Sequence, residues 1–555
     1  MLGQVFHLVY IGNGTTLLSG NFDFPLTLHA HCLRIPTKDN PTPGCVWGKG
    51  VLLSTKTDNN IDRRLFLKGG AIAVAAIPMS GLLAACSKSS DSGSVASDSP
   101  LLGSNADNMK GKTIDFAYSR IGGWPPSSAP ETQWADFQAY AQANYGYTVN
   151  AITFAEAPFG ELFQKVAPTL ASQSQEFNLL IVDSQWLGAL AEPGWIIKAD
   201  DVIAANPDLD IEPYSSLVTN TYQVYPDGSG VRWGFPQMPD VQGVFLRKDM
   251  LEDPKEQAAF KKKTGKDLAS TYEVLSEIEY ADLVEIIDFF HRPSKGMYGT
   301  ALMYSKEYDF FSCAYYPFAY STGGRIWDPA TNDVYGILNT PGNAAAMEQF
   351  VSLKKYQPKN FAAFGIGDMI DLFTQGKVFS AWQWCAIGKF MSSDKVPADK
   401  VISIPIPKWG GKRIGAMGGQ PWVINAFNDD DHMRVAIDVL KWWYTKETQD
   451  KFILENGGLP WSKEACANPE YQAVGHYVKP FLFMLSEGNS QDFWHLPEYA
   501  EMLAVQQEAF NGYATGQVKT AAAALEYAAA KQQQILFKAG RTKTEPPANV
   551  DSLKL

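Results

Sequence analysis

Several short segments of the chain combine aromatic rings with carboxylate and carboxamide side chains. Carboxylates and amides can bind hydroxyl groups around the rim of a sugar-like ring, and aromatic rings can cover its faces. An anionic ligand would instead need arginines or helix N-termini, and Arg120 is the only arginine in these segments. The composition therefore favours a neutral, polyhydroxylated ligand. The candidate ligand-binding residues are Trp124, Glu156, Asp183, Trp186, Asp240, Gln242, Tyr316, Trp382, Trp384, Gly419, Gln420 and Trp422.

Some of these residues also have a purely structural interpretation. Asp183 could cap the helix that follows its strand. Trp382 and Trp384 alternate with Gln383 if the segment is a strand, so at most one face of it reaches a ligand. Gly419 and its neighbour Gly418 could form a turn, although a close approach of the backbone to a ligand also requires glycine.

The elements that must position these residues follow a β-α-β-α-β order. Residues 113–118 and 147–153 have the composition of short strands, and residues 177–182 form the nearly continuous apolar run of a strand buried on both faces. Helical spacing predicts helices over residues 133–145 and 159–172. This order predicts a doubly wound α/β sheet, in which ligands bind at the carboxyl ends of the strands. These ends correspond to the loops at residues 120–126, 154–158 and 183–187.

Length and composition limit the class of protein. The 555 residues exceed one average domain, and 45 % apolar with 19 % charged residues suits large buried cores. The net charge of −12 argues against a nucleic-acid partner, because phosphates require a basic face. Six cysteines in a chain of this length are not a disulfide framework. We expect Cys313, Cys385 and Cys466 to be buried and unpaired.

The N-terminal part of the chain resembles an export signal. Arg63 and Arg64 precede an uncharged, mostly apolar run at residues 69–85, which is short for a membrane span and typical of a signal peptide. The paired arginines favour twin-arginine export, with Sec export as the alternative. Residues 83–86 (LAAC) resemble a lipobox, so we expect Cys86 to be lipidated and to anchor the mature chain to a bilayer.

The segments around this signal have their own interpretations. Residues 51–85 are the predicted signal peptide, and residues 86–110, rich in Ser, Asp and Gly, are the predicted lipid attachment and flexible linker. Residues 1–50 show no clear period, and we interpret them as a non-native upstream extension caused by a misplaced start site. A peptide of the precursor that contains residues 1–50 would contradict this hypothesis.

Six short motifs in a fixed order give the chain a family resemblance. They are residues 177–187 (FNLLIVDSQWL) with Gly194-Trp195, 233–236 (WGFP) with 243–249 (GVFLRKD), 298–300 (YGT) with 319–324 (AYSTGG), 373–384 (FTQGKVFSAWQW), 404–405 (IP) with Gly418-Gly419, and 457–460 (GGLP). Behind a lipoprotein signal, this order resembles the extracellular solute-binding proteins of ABC importers, the branch that includes maltose-binding protein. The resemblance covers roughly residues 111–540.

The resemblance implies a type II periplasmic-binding-protein fold, with two α/β lobes, each a mixed sheet flanked by helices, and a ligand cleft between them. Lobe one would comprise residues 111–238 plus 407–465, and lobe two residues 239–406 plus 466–540. The composition of residues 541–555 predicts a polar, loosely held tail. Crossovers would lie near residues 236–241 and 404–414, and closure of the lobes around a solute is the implied motion. Asp183 would bind hydroxyls, although Ser184 stands where this branch would have arginine.

The implied function is capture of a neutral sugar or polyol for an ABC permease, by a lipid-anchored monomer outside the cytoplasm that catalyses no reaction. We expect no cofactor and no metal, since no nucleophile elbow, zinc helix or P-loop is present in the sequence. An exported carbohydrate-active enzyme is a competing hypothesis, and it would need two carboxylates at a fixed separation. A binding protein for a polyamine or amino-acid-like solute is a second competing hypothesis, and a scaffold that binds only protein partners is a third.

Overall fold

The computed structural model of the protein describes residues 106–555. The predictions for the upstream extension, the signal peptide, Cys86 and most of the linker lie outside the described residues. Met109, at the end of the predicted linker, is buried in the core, so the folded body includes residues before Gly111. Between residues 106 and 555, no helix has both the length and the apolar character needed to span a bilayer.

Eleven strands are present in the described part of the chain. Their bounds are β1 (Thr113–Ile114), β2 (Ala117–Ile121), β3 (Thr148–Val149), β4 (Thr153–Ala157), β5 (Leu179–Ile181), β6 (Phe235–Arg247), β7 (Tyr298–Ala301), β8 (Val378–Trp384), β9 (Val401–Pro405), β10 (Gly415–Ile424) and β11 (Ser490–Gln491). Nine of them form one mixed sheet in the order β4-β2-β5-β10-β6-β8-β7, with β9 beside β6 and β11 beside β10. The other two, β1 and β3, form a separate parallel pair.

Twenty α-helices cover the sheet in the same part of the chain. Their bounds are α1 (Ala129–Thr132), α2 (Trp134–Tyr145), α3 (Phe159–Ala171), α4 (Leu187–Ala191), α5 (Ala199–Ala205), α6 (Ser216–Tyr222), α7 (Lys248–Glu252), α8 (Pro254–Thr264), α9 (Tyr272–Leu275), α10 (Tyr280–Phe290), α11 (Phe310–Ser321), α12 (Pro341–Ser352), α13 (Ile366–Thr374), α14 (Asp430–Trp443), α15 (Lys446–Asp450), α16 (Lys463–Ala467), α17 (Pro469–Gln472), α18 (Val478–Leu485), α19 (Tyr499–Thr515) and α20 (Ala521–Lys538).

The predicted β-α-β-α-β start is present, with one difference. Helix α2 buries Trp134 and Phe137 and ends at Gly146, whose φ of 73° lies in the left-handed region that favours glycine. Each of the first two predicted strands is divided, so that β1 and β2 replace the first and β3 and β4 the second. Asp115 and Asn150 lie in the two interruptions and are joined by an Asn150 Nδ2 to Asp115 Oδ1 hydrogen bond of 2.6 Å. Both side chains therefore stay at the exposed edge instead of entering the sheet.

Two long strands join the two halves of the sheet. Strand β6 pairs with β10 over residues 235–241, and from Gln242 onward it pairs with β8 and β9. We call the part of the protein around β2, β4 and β5 lobe one, and the part around β7, β8 and β9 lobe two. The predicted crossover at residues 236–241 lies within β6, and residues 404–414 lead from β9 to β10.

The C-terminal tail is bound to the body. Arg541 forms ion pairs with Glu192, at the end of α4 in lobe one, and with Glu498, at the start of α19 in lobe two. The Thr544 hydroxyl donates to Asp333, and Val550 is buried. A polar composition therefore does not make residues 541–555 a loose extension.

The three cysteines of the described chain are buried free thiols, Cys313, Cys385 and Cys466. Their expected burial is confirmed. Burial raises the pKa of all three thiols, because a thiolate would lose its solvation there. Cys385 and Cys466 act as small apolar core residues, whereas the Cys313 thiol donates a 3.1 Å hydrogen bond to Asp309 Oδ2.

Candidate functional site

A cavity of about 30 Å³ lies where the strand ends of lobe one face lobe two at the crossover strands. Its walls combine aromatic rings, carboxylates, amides and bare backbone. Residues of both lobes and of both long strands contribute to it. The lining residues are Trp124, Phe159, Asp183, Gln185, Asp240, Asp309, Phe310, Ile366, Trp384, Gly418, Gly419, Gln420 and Phe493.

Trp124 is placed by the loop that follows β2. Pro125 and Pro126 come directly after it and begin a 3₁₀ turn, Pro125–Ser128, because proline suits the first positions of a helix. The Trp124 indole Nε1 donates a 2.9 Å hydrogen bond to Gln420 Oε1 on β10, and its ring meets Phe159 edge-on at 6.0 Å. The aromatic wall of the cavity on this side is thereby fixed in position.

Asp183 follows the carboxyl end of β5. Its Oδ1 accepts a 3.2 Å hydrogen bond from the backbone N–H of Gln185, so it caps the turn Ser184–Trp186. It also lines the cavity. The structural interpretation of Asp183 as a cap is therefore confirmed, and the same carboxylate faces the cavity.

Gln185 joins the two lobes across the cavity. Its Nε2 donates a 2.7 Å hydrogen bond to Asp309 Oδ2 of lobe two, at the start of α11. Its Oε1 is buried and has no hydrogen-bond partner among the described residues. Gln185 Oε1 is thus an acceptor available to a ligand, while Gln185 Nε2 forms a hydrogen bond between the lobes.

Asp240 lies on β6 at the crossover and is 1 % exposed. Its Oδ1 accepts hydrogen bonds from the backbone N–H groups of Val241, at 2.8 Å, and Ala386, at 3.0 Å. Its Oδ2 has no partner among the described residues. Burial raises the pKa of Asp240 well above its ordinary value, because no cation offsets the lost solvation.

Gly418 and Gly419 lie within strand β10, so the interpretation of them as a turn is wrong. Gly419 has a φ of 131°, and a Cβ there would come within 2.6 Å of the Met238 carbonyl oxygen and 2.8 Å of the Tyr222 hydroxyl. That hydroxyl accepts a hydrogen bond from the Asp240 N–H at 2.8 Å and donates one to the Gly418 carbonyl. The crossover strands are therefore spread by an inserted tyrosine, and only glycine fits beside it.

The electrostatic character of the cavity is acidic. Asp183, Asp240 and Asp309 line it, and none of its lining residues is Lys, Arg or His. Burial raises the pKa of Asp183 and the pKa of Asp309, and the neighbouring charges of Asp309 and Asp492 raise that of Asp183 further. The described residues contain no group of three or more His, Cys, Asp or Glu side chains arranged to hold a metal ion.

Six of the twelve predicted residues line this cavity: Trp124, Asp183, Asp240, Trp384, Gly419 and Gln420. Two of the others lie in lobe one, away from it. Glu156 lies near the end of the edge strand β4 and pairs with Arg120 at 2.6 Å, with half of its side chain exposed. Trp186 is fully buried, and its Nε1 donates a 2.9 Å hydrogen bond to the Tyr308 hydroxyl.

The remaining four predicted residues are packed in the interior. Trp382 is on the same face of β8 as Trp384 but two residues deeper, about 7 Å along the strand, and stacks on Phe318 at 5.4 Å. Trp422 lies between Tyr118 and Trp443, at ring distances of 6.0 and 5.8 Å. Two more buried side chains, Gln242 on β6 and Tyr316 on α11, are absent from the cavity lining.

Five lining residues lay outside the candidate segments of the sequence: Phe159, Asp309, Phe310, Ile366 and Phe493. Asp309 and Phe310 follow an irregular stretch between β7 and α11, and Phe493 follows the short β11. None of them ends a strand with a recognisable period. Phe159 begins α3, directly after the candidate loop at residues 154–158. Because ligands bind at the carboxyl ends of strands in α/β sheets, Phe159 could have been predicted from the sequence.

Comparison with known proteins agrees with this architecture. A family model described as "Bacterial extracellular solute-binding protein" matches residues 126–450. The structure of MalE3 of T. maritima with bound maltose is 19 % identical, with a TM-score of 0.62, and the match covers 76 % of this chain and 100 % of that one.

Two further solved structures show the same fold. A solute-binding protein of Agrobacterium radiobacter K84 in complex with ribitol is 19 % identical at a TM-score of 0.60, covering 77 % of this chain and 99 % of that chain. One from Agrobacterium vitis S4 with bound D-mannitol is 18 % identical at a TM-score of 0.58, with the same coverage.

The protein thus has the two-lobe fold of type II periplasmic binding proteins. Since the family model matches more than half of the sequence, the chain belongs to the bacterial extracellular solute-binding proteins.

Proposed function

We propose that the protein captures a carbohydrate or polyol in the cavity between its lobes and delivers it to an ABC permease. The observation that carries the proposal is the composition of the cavity, in which aromatic rings such as Trp124 and Trp384 stand beside carboxylates such as Asp183. Aromatic rings suit the C–H faces of a sugar, and carboxylates and amides suit its hydroxyl groups. The solved relatives with maltose, ribitol and D-mannitol support the same class of ligand.

The proposed mechanism is opening and closure of the lobes, without bond chemistry. The cavity of about 30 Å³ has room for only a few water molecules, whereas sites for small organic ligands span about 300 to 1,000 Å³. The lobes must therefore separate to admit a sugar. Hydrogen bonds between the lobes, such as that from Gln185 to Asp309, would break when the lobes open. These bonds therefore stabilise the closed state.

The cellular setting is part of the proposal. We infer that the mature chain is a monomer exported by the predicted signal and anchored to the membrane through lipidated Cys86. The lobe boundaries expected from the sequence, 111–238 plus 407–465 and 239–406 plus 466–540, are retained as the proposed moving bodies. The surfaces of the two lobes beside the cleft would dock on the permease.

A thermal-shift screen tests the ligand class. Because binding to the folded state raises the melting temperature, one family of sugars or polyols is expected to give a saturable shift, with no product detected by mass spectrometry. Asp183→Ala is expected to weaken that binding by about tenfold or more, since it removes a buried acceptor. Glu176→Gln, which removes an exposed carboxylate at the opposite end of β5, is the control. Turnover of the sugar, or no shift with any sugar or polyol, would refute the proposal.

A further inference from the structure

The charges around the cavity are unbalanced in a way that points to the ligand. Three carboxylates, Asp183, Asp240 and Asp309, face a single small space, and no cationic side chain is among its lining residues. The nearby acid Asp492 has its own partner, because its Oδ2 lies 2.9 Å from Nε2 of the buried His495. Among residues 106–555, no cationic side chain pairs with Asp240. The described residues therefore supply three acids and no cationic side chain at the place where the ligand would lie.

The unpaired polar atoms show the same imbalance. Among the residues lining the cavity, the buried side-chain atoms without a partner are Asp240 Oδ2 and Gln185 Oε1, and both are acceptors. Both side chains are about 1 % exposed. A ligand that satisfies them must donate hydrogen bonds. An ammonium group donates three and accepts none, whereas a hydroxyl group both donates and accepts.

The aromatic residues of the cavity fit the same kind of group. Five aromatic residues line the same cavity as the carboxylates: Trp124, Phe159, Phe310, Trp384 and Phe493. The faces of aromatic rings attract cations, and cages of aromatic rings bind ammonium ligands. The same rings also cover the C–H faces of a sugar. The surroundings thus suit a molecule that has both a polyhydroxylated skeleton and a positive charge.

We propose that the preferred ligand is an amino sugar or amino polyol, whose protonated amine binds between Asp240, Asp183 and Asp309. This inference rests on the proposed function and narrows it to one substrate class. The hydroxyl groups of the ligand would bind the amides, and the amine would supply the charge that the protein lacks at this site. Burial raises the pKa of the Asp240 carboxyl, as expected of an acid whose counter-ion arrives with the ligand.

Matched ligand pairs test this proposal by calorimetry at neutral pH. The pairs are D-glucose and D-glucosamine, D-galactose and D-galactosamine, and D-glucitol and N-methyl-D-glucamine. Spermidine, Ca²⁺ and Mg²⁺ test for charge without the sugar skeleton. In at least one pair, the amine is expected to bind about tenfold tighter or more than its neutral partner, as for a close charge pair removed from water.

Asp240→Asn is the decisive variant. Asparagine keeps an oxygen for the two backbone donors and places an amide where the unpaired Oδ2 lies, so the fold is expected to be retained. The preference for the amine should fall to less than about threefold, while binding of the neutral partner changes less. Glu176→Gln makes the same change in net charge outside the cavity and should keep the full preference. If Asp240→Asn lowers the melting temperature strongly, Asp309→Asn serves as the second variant.

The outcomes separate the two proposals. If neutral sugars bind as well as or better than their amines, the amino-ligand inference is overturned and the proposed function stands. If Asp240→Asn and Asp309→Asn both keep the preference, the assigned carboxylates are wrong and the inference is also overturned. Binding of spermidine or a metal ion alone, or of no compound in any pair, would overturn the amino-sugar inference, and the thermal-shift screen decides separately whether the proposed sugar function stands.

Discussion

At the residue scale, Asp183 shows how one carboxylate can serve the fold and the site together. It caps the turn Ser184–Trp186 through the Gln185 N–H, and it faces the cavity beside Asp309. The cap keeps the carboxylate at the end of β5, which is why a residue at that sequence position reaches the cleft. Its environment also makes its protonation depend on folding.

The contribution of Asp183 to the stability of the protein with no sugar added should fall as pH rises above about 4, the ordinary range of a carboxyl pKa. Burial raises the pKa of Asp183, and the charges of Asp309 and Asp492 raise it further, while hydrogen bonds from Gln185 and Tyr308 lower it. The raised pKa means that the folded state holds the Asp183 proton more tightly than the unfolded state does. The contribution of this proton to the free energy of unfolding is therefore complete at a pH below the pKa of the unfolded state. This contribution is lost as pH rises through the pKa of the folded state.

Thermal melting from acidic to mildly alkaline pH measures this effect. Because asparagine does not titrate, the melting temperature of the unchanged protein should fall relative to that of Asp183→Asn as pH rises. Glu176→Gln should follow the unchanged protein. Identical slopes for the protein and for Asp183→Asn would show that this carboxyl is not the titrating group.

The sequence located the residues that follow a strand with a clear period, such as Trp124 after β2 and Asp183 after β5. It did not locate Asp309 or Phe493, because these residues come from irregular segments of lobe two. Their position against lobe one depends on how the lobes meet, which no local pattern records. Trp382 was predicted with Trp384 because they share a strand face, and only the position of the cavity along β8 separates them.

At the element scale, the crossover between β6 and β10 depends on a single glycine. The Tyr222 hydroxyl is inserted between Asp240 of β6 and Gly418 of β10, and Gly419 adopts a φ of 131° beside it. The prediction of special backbone at Gly418-Gly419 rested on residue type. The strand that contains them was not foreseen, since paired glycines usually interrupt strands.

Gly419→Ala should destabilise the protein by about 1 to 3 kcal/mol, because alanine is strained at this φ and its Cβ would meet the Met238 carbonyl. Gly367→Ala is the matched control, since Gly367 lies in helix α13 with open space around it, and it should raise stability by about 0.4 to 1 kcal/mol. Urea unfolding compares the two variants. Equal effects of both substitutions would contradict the proposed requirement for glycine.

At the scale of the whole molecule, Arg541 links the two lobes from the C-terminal segment. It contacts Glu192 through two 2.6 Å hydrogen bonds and Glu498 through its Nε. Because the guanidinium is a planar fork, it binds Glu192 in a defined orientation. Composition alone suggested a loose tail at residues 541–555, since it gives no information on partners that are distant in sequence.

Arg541→Gln should shift the lobes apart, because it removes the ion pairs that join α4 to α19. Spin labels on the two lobes, read by pulsed electron paramagnetic resonance, should show a longer distance. Arg292→Gln is the control, since Arg292 forms a similar bidentate pair with Glu256 inside lobe two. Both variants should lose about 1 kcal/mol or less. If the distance between the spin labels changes equally in Arg541→Gln and Arg292→Gln, or changes in neither variant, Arg541 does not link the lobes.

The small cavity has a consequence for how cargo is recognised. Its volume of about 30 Å³ is less than a sugar occupies, so a loaded cleft holds its lobes farther apart than they stand in this structure. A permease that contacts one site on each lobe would then respond to the distance between these sites, which depends on the size of the bound ligand. The binding protein would report the size of what it carries as well as its arrival, and larger sugars would be recognised by a wider span.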